Sequence, residues 1–172
     1  MKRHVILIGL PGSGKTVVGR LVADELQGEL VDVDAIIERR EGRPIMMIFA
    51  ERGEAAFRDM EAREMETALR NPPAIITPGG GWAAVEGRVA AAKQHGLVIY
   101  LKTRAEVAAQ RVGPEGNRPV LMGGDPVERM RSLVAEREPR YLEADAVVET
   151  NRRTPQQVAA EVVRLARGGA GW

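Results

Sequence analysis

Near its start the chain passes from a short apolar run, through a glycine-rich segment, into an amphipathic stretch, and no other feature restricts the fold as much. Val5-Ile6-Leu7-Ile8 is a continuous, β-branched-rich run, the pattern of a strand buried on both faces of a parallel sheet. From Lys15 to Leu26 the apolar residues Val17, Val18, Leu21, Val22 and Leu26 recur at helical spacing. Between them, Gly9-Leu10-Pro11-Gly12-Ser13-Gly14-Lys15-Thr16 fits G-x-x-x-x-G-K-[ST] without a mismatch. Glycines let the backbone curl so that successive N–H groups converge on phosphate oxygens. The helix that follows adds its positive end. Lys15 supplies a mobile charge to the outer phosphates, and the Thr16 hydroxyl is suited to Mg²⁺. Gly12, Ser13, Gly14, Lys15, Thr16 and Val17 are therefore the expected cradle for a nucleotide. A chance match on a glycine-rich turn is the competing reading, and the strand before and helix after argue against it.

The remaining chain repeats the alternation. Weak strand character runs from Glu29 to Asp32, and 34–70 reads as two or three helical pieces punctuated by Gly42, Pro44 and Gly53. Ala74-Ile75-Ile76-Thr77 is a third strand, ended by Pro78-Gly79-Gly80-Gly81. A helix near 84–94, the strand Leu97 to Leu101 and a last strand Ala146-Val147-Val148 follow. Thr103 with Glu106, Asp125 with Glu128, and Thr154 with Gln157 have the spacing of capping boxes, and Pro126 and Pro155 occupy first helical positions. Five strands separated by helices predict one α/β domain of 172 residues, a parallel sheet covered on both faces. Val112 to Gly124, rich in glycine and proline and carrying Arg118, is long for a loop in a compact domain and reads as a functional lid or a disordered segment.

Composition removes several functions. The absence of cysteine excludes disulfides, thiolate metal sites and a thiol nucleophile. A net charge of +1 argues against a partner held by bulk positive charge, and 3% aromatic residues is thin for a base-stacking surface. No nucleic acid and no membrane are expected as partners. The apolar run after Met1 is too short and too soon broken for a secretion signal, and no stretch approaches a membrane span, so the expectation is a soluble, cytoplasmic protein.

Asp32 and Asp34 fall at the C-terminal end of the second strand, the edge where open α/β sheets bind ligands. Two apart, they share a face if the strand is still extended. One could hold the metal through water and the other accept a hydroxyl proton; alternatively Asp34 simply caps the helix that starts at Ala35. Arg58, with Glu54 and Glu61 at i−4 and i+3, reads equally as a surface salt-bridge ladder. The run Gly79-Gly80-Gly81 bares backbone to a ligand or forms a flexible turn. Arg118, on the lid, has the charge that phosphoryl transfer needs on closure.

These blocks together resemble the shikimate kinase family, of the P-loop nucleoside-monophosphate-kinase type. The resemblance runs from Arg3 to about Leu165. It rests on Gly9–Thr16 with Val18-Gly19-Arg20, on Asp32-Val33-Asp34 with Ile37-Glu38, and on Gly42, Ile45, Ile48 and Phe49. Gly53-Glu54, Phe57-Arg58 and Glu61, the triple glycine, Arg118-Pro119-Val120-Leu121, and Arg137-Glu138-Pro139-Arg140-Tyr141 complete it. It implies a five-stranded parallel sheet of order 2-3-1-4-5 with a mobile lid, an acceptor-binding helical region at about 34–70, and a monomer. It implies transfer of the ATP γ-phosphoryl group to the 3-hydroxyl of shikimate, with Mg²⁺, in aromatic amino-acid synthesis. By the resemblance, Asp34 binds the acceptor hydroxyls and acts as base, and Arg58 and Arg137 hold the carboxylate. Gly79, Gly80 and Gly81 contact the ring hydroxyls, and Lys15 and Arg118 stabilise the transferring group. Thr16 ligates the metal with Asp32 acting through water, and Arg111 and Arg153 flank the adenine. Pro78 and Trp82 stand beside the triple glycine where the family's pattern has smaller residues. The alternatives are a kinase for gluconate or a nucleoside monophosphate, and a nucleotide-binding module that has lost the chemistry.

Overall fold

The structure, a computed structural model, describes residues 1–112 and 124–172. Arg118 and the segment between Val112 and Gly124 expected to form a lid lie outside the described residues. Among the described residues twelve elements follow one another: β1 (His4–Ile8), α1 (Lys15–Leu26), β2 (Leu30–Asp32), α2 (Val33–Glu41), α3 (Ile45–Arg70), β3 (Ile75–Thr77), α4 (Arg88–Lys93), β4 (Gly96–Lys102), α5 (Ala105–Val112), α6 (Pro126–Tyr141), β5 (Ala146–Glu149) and α7 (Pro155–Gly169). The strands form one sheet in the order β2-β3-β1-β4-β5, and every pairing is parallel.

The central strand explains the layers. Along β1 the side chains alternate: Val5 and Leu7 enter one apolar cluster with Val18 and Val22 of α1 and Val158, Val162 and Val163 of α7. Ile6 and Ile8 enter another with residues of α2, α3, α4 and α6. A run apolar at every position is what a strand covered on both faces requires, and each such side chain, fully buried, contributes ~1.5–3 kcal/mol relative to exposure. Parallel pairing puts the C-terminal ends of β1, β2 and β3 on one edge of the sheet, where the phosphate-loop motif, Asp32 and the glycine run all emerge.

Helix 34–70 is broken where expected. Gly42 caps α2 at φ 64, and Gly53 interrupts α3 at φ 83, ψ 167. No atom lies within 4 Å of where a Gly53 Cβ would be, so the break needs glycine for its backbone angle, not for space. Beyond it, Phe57, Glu61, Met65 and Ala68 are buried at helical spacing.

Three local expectations are corrected. The helix expected near 84–94 is only Arg88–Lys93, because Gly87, at φ 85, holds the chain in a turn until then. Thr103 does not cap α5, which starts two residues later. Its hydroxyl is buried against that of Thr150 instead. Helix α2 begins at Val33 with Asp32 as its cap, so Asp34 is neither extended nor a cap but lies in the first helical turn. The other two boxes differ: Thr154 and Gln157 complete theirs, whereas Asp125 accepts from Val127 N and Glu128 turns to Arg131.

Candidate active site

The phosphate loop is shaped by two glycines in the left-handed region. Gly12 has φ 78, and a Cβ there would sit 2.5 Å from the Ala108 carbonyl. Gly14, at φ 92, caps α1 with no side chain, which leaves the first amides of the helix to a ligand. Lys15 Nζ donates to the Gly9 and Leu10 carbonyls, 2.8 Å each, so the buried ammonium is folded against the loop it serves. Thr16 Oγ1 donates to Asp32 Oδ2 at 2.8 Å, while Asp32 Oδ1 accepts the Ala35 amide at 3.4 Å. A hydroxyl and a carboxylate at hydrogen-bond distance suit Mg²⁺, which prefers hard oxygens, keeps several waters and takes the rest of its shell from phosphate. Among the described residues no three acidic or imidazole groups gather to hold a metal by protein ligands alone.

Beside the loop lies a cavity lined by Ser13, Gly14, Val17, Arg111, Thr150 and Arg153, among others. Val17 is 53% exposed, apolar surface of the kind a base covers. Arg111 donates to the Gly12 carbonyl at 3.4 Å. Arg153 is held by Glu161 at 2.6 Å and the Glu149 carbonyl at 2.8 Å.

A second cavity opens beside Pro11 of the phosphate loop. Ile45, Phe49 and Phe57 give it apolar walls; Asp34, Arg58, Glu61 and Arg137 give it charge; Gly79, Gly80 and Gly81 give it bare backbone. The expected ladder on α3 does form, with Arg58 3.4 Å from Glu54 and 3.1 Å from Glu61. It is not a surface ladder, because Glu61 is 0% exposed. Burial pushes the Glu61 carboxyl above its ordinary range; the Arg58 guanidinium opposes that shift, and the nearby Asp34 charge adds to it. Arg137, on α6, is buried as well.

A side chain on any of the three glycines would press on the charged groups of the cavity. A Cβ on Gly81 would lie 2.5 Å from the Arg58 guanidinium, one on Gly80 3.1 Å from Arg137 Nη1, and one on Gly79 3.1 Å from Asp34 Oδ1. The same Gly80 position is 3.0 Å from the Gly9 carbonyl, so the glycine run also abuts the phosphate loop. Trp82 does not crowd the cavity: its ring is buried in the core, with the Arg88 guanidinium 5.9 Å from it.

The structure thus brings Asp34, Arg58, the triple glycine and Arg137 to one cavity, and Ser13 and Gly14 of the loop with Val17, Arg111 and Arg153 to another; Gly12, Lys15 and Thr16 line neither. Two further residues belong here that motif reasoning gave no role. Glu61 was legible as an acid on the apolar stripe Phe57, Met65, Ala68, where a charge is out of place without a task. Tyr141, which donates to the Gly80 carbonyl at 2.8 Å, carried no such signal.

Comparison with known proteins gives the chain a family. The family model described as shikimate kinase matches residues 11–167. The chain is 40% identical over 161 residues to a shikimate kinase of Chromohalobacter salexigens, covering 93% of this chain and 89% of that one. It is 42% identical over 164 residues to one of Mycobacterium avium, covering 95% and 93%. A shikimate kinase from Acinetobacter baumannii, solved in complex with shikimate, superposes with TM-score 0.92 at 33% identity, covering 98% of this chain and 94% of that one. By sequence over nearly its whole length and by fold, this chain belongs to the shikimate kinase family.

Proposed function

We propose that this chain carries out the reaction of its family with the residues described above, moving the γ-phosphoryl group of ATP to the 3-hydroxyl of shikimate. One observation carries the assignment of roles: a carboxylate, two arginines and three bare glycines meet in one cavity whose wall is shared with the phosphate loop. Two guanidiniums from α3 and α6 fit a carboxylate, which planar forks grip better than point charges do. Glycine amides and carbonyls reach ring hydroxyls that side chains would fend off.

Phosphoryl transfer asks the protein mainly for position and charge. Arg58 and Arg137 anchor the acid end of the acceptor. Asp34, at the start of α2, hydrogen-bonds the acceptor hydroxyl, orients it toward the donor and takes its proton. The Gly12–Thr16 amides and Lys15 hold the phosphates and spread the developing charge, joined by Arg118. Mg²⁺, when bound, would be held by Thr16 with Asp32 through water and would supply neutralisation of the phosphate oxygens. Arg111, Arg153 and Val17 take the adenine. Ile45, Phe49 and Phe57 keep water from competing for the phosphoryl group. Action as a monomer in the cytoplasm belongs to the same proposal. Among the described residues no helix is long and apolar enough to cross a membrane.

The test is ADP release with shikimate beside gluconate and nucleoside monophosphates. Turnover with shikimate alone is expected. Equal turnover with an acceptor that lacks a carboxylate would overturn the arginine clamp.

A further inference from the structure

Gly80 is held from behind. The Tyr141 hydroxyl donates to its carbonyl at 2.8 Å, in a buried hydrogen bond. Arg137, one helical turn earlier on α6, lays its guanidinium against the same glycine: a Cβ there would lie 3.1 Å from Nη1. Positions i and i+4 share a helix face, so one face of α6 supplies both an arginine of the acceptor cavity and the tether of the cavity's floor. Tyr141 is fully buried, with its ring 5.0 Å from that of Tyr100. The same hydroxyl is also in hydrogen-bond contact with the Arg137 side chain, so ring and phenol are both held, a strut that links arginine to glycine.

We propose that Tyr141 is a positioning residue for acceptor binding: its hydroxyl fixes the Gly79–Gly81 backbone against Arg137, so that carboxylate clamp and hydroxyl-binding backbone stay in register. This rests on the functional reading above. It follows that Tyr141→Phe, which keeps the ring and removes only the hydroxyl, leaves a buried carbonyl without its donor and lets the glycine run drift.

Three readouts test it. The first is the split in kinetics: Tyr141→Phe raises the KM for shikimate roughly tenfold, while the KM for ATP, bound in the other cavity, stays put. The second is a matched control. Tyr100→Phe removes the neighbouring phenol, whose hydroxyl goes to Glu138 Oε2 at 2.9 Å and not to Gly80. Both variants melt earlier than the unmodified protein, and only Tyr141→Phe moves the shikimate KM. The third needs no substrate: amide hydrogen exchange at 80–82 is faster in Tyr141→Phe and unchanged in Tyr100→Phe. A shikimate KM within about twofold of the unmodified value, a matching rise in Tyr100→Phe, or an equal rise in the ATP KM overturns the proposal. If the unmodified protein does not phosphorylate shikimate, the functional reading falls, and unchanged exchange at 80–82 overturns the strut by itself.

Discussion

The two cavities are made in opposite ways. The donor side centres on one unbroken stretch of chain, Gly9 to Val17, whose working groups are mostly amides at a helix start, with Arg111 and Arg153 brought in beside it. The acceptor side draws on α2, on α3, on the turn after β3 and on α6, and its working groups are charged side chains, two of them buried. A site made of backbone tolerates much in its neighbours so long as its glycines keep their angles. A site made of buried charges depends on every partner, because removing one leaves another uncompensated. Damage should therefore stay local on the donor side and spread on the acceptor side.

The hardest blow to that contrast is Asp34→Asn. Turnover should fall by ~10²–10⁴-fold, while ATP binding measured by calorimetry stays within error. A parallel loss of ATP affinity would mean that the two sides are not separable. Next comes Arg58→Ala. It should raise the KM for shikimate about 10- to 100-fold and also lower the melting temperature, since Glu61 loses its ion pair at 3.1 Å while remaining fully buried. A kinetic defect without a stability defect would show that the buried pair is not coupled to the fold.

Glu61 sharpens the comparison through pH. Its carboxyl is raised by burial. Such an acid contributes stability that is fully present below its ordinary value and lost as pH rises through the raised one. Glu61→Gln removes that titration, so the variant's melting temperature should climb relative to the unmodified protein from about pH 4 to 8. A gap constant across that range would mean that the acid does not titrate. The mildest change lies on the donor side. Thr154→Ala opens the capping box of α7. It should cost about 1 kcal/mol, a fall of ~2–4 °C in melting temperature for a domain of this size, and leave the shikimate KM alone.

Local physics made much of this legible in advance. The unbroken apolar run of β1 announced a strand covered on both faces, and the break at Gly53 was visible as a glycine inside a helical pattern. Boundaries went astray where tertiary partners competed for the capping group. Thr103 has the right spacing to cap α5, but the Thr150 hydroxyl holds it instead. Asp32 took the cap that spacing also allowed to Asp34, and that two-residue difference puts Asp34 into the acceptor cavity instead of onto a strand face.

By itself the chain's order of residues determined the donor cradle, the layer architecture and the family, because each rests on neighbours in sequence: amides along a turn, apolar alternation along a strand, ordered motif blocks. Only the tertiary structure decided that Arg58 with Glu61 is a buried pair and not a surface ladder, that the triple glycine is a tight floor under two guanidiniums, and that Tyr141 holds that floor. Burial is a property of what packs above a residue, and for these groups the packing comes from segments far away in the chain, so no local pattern encodes it.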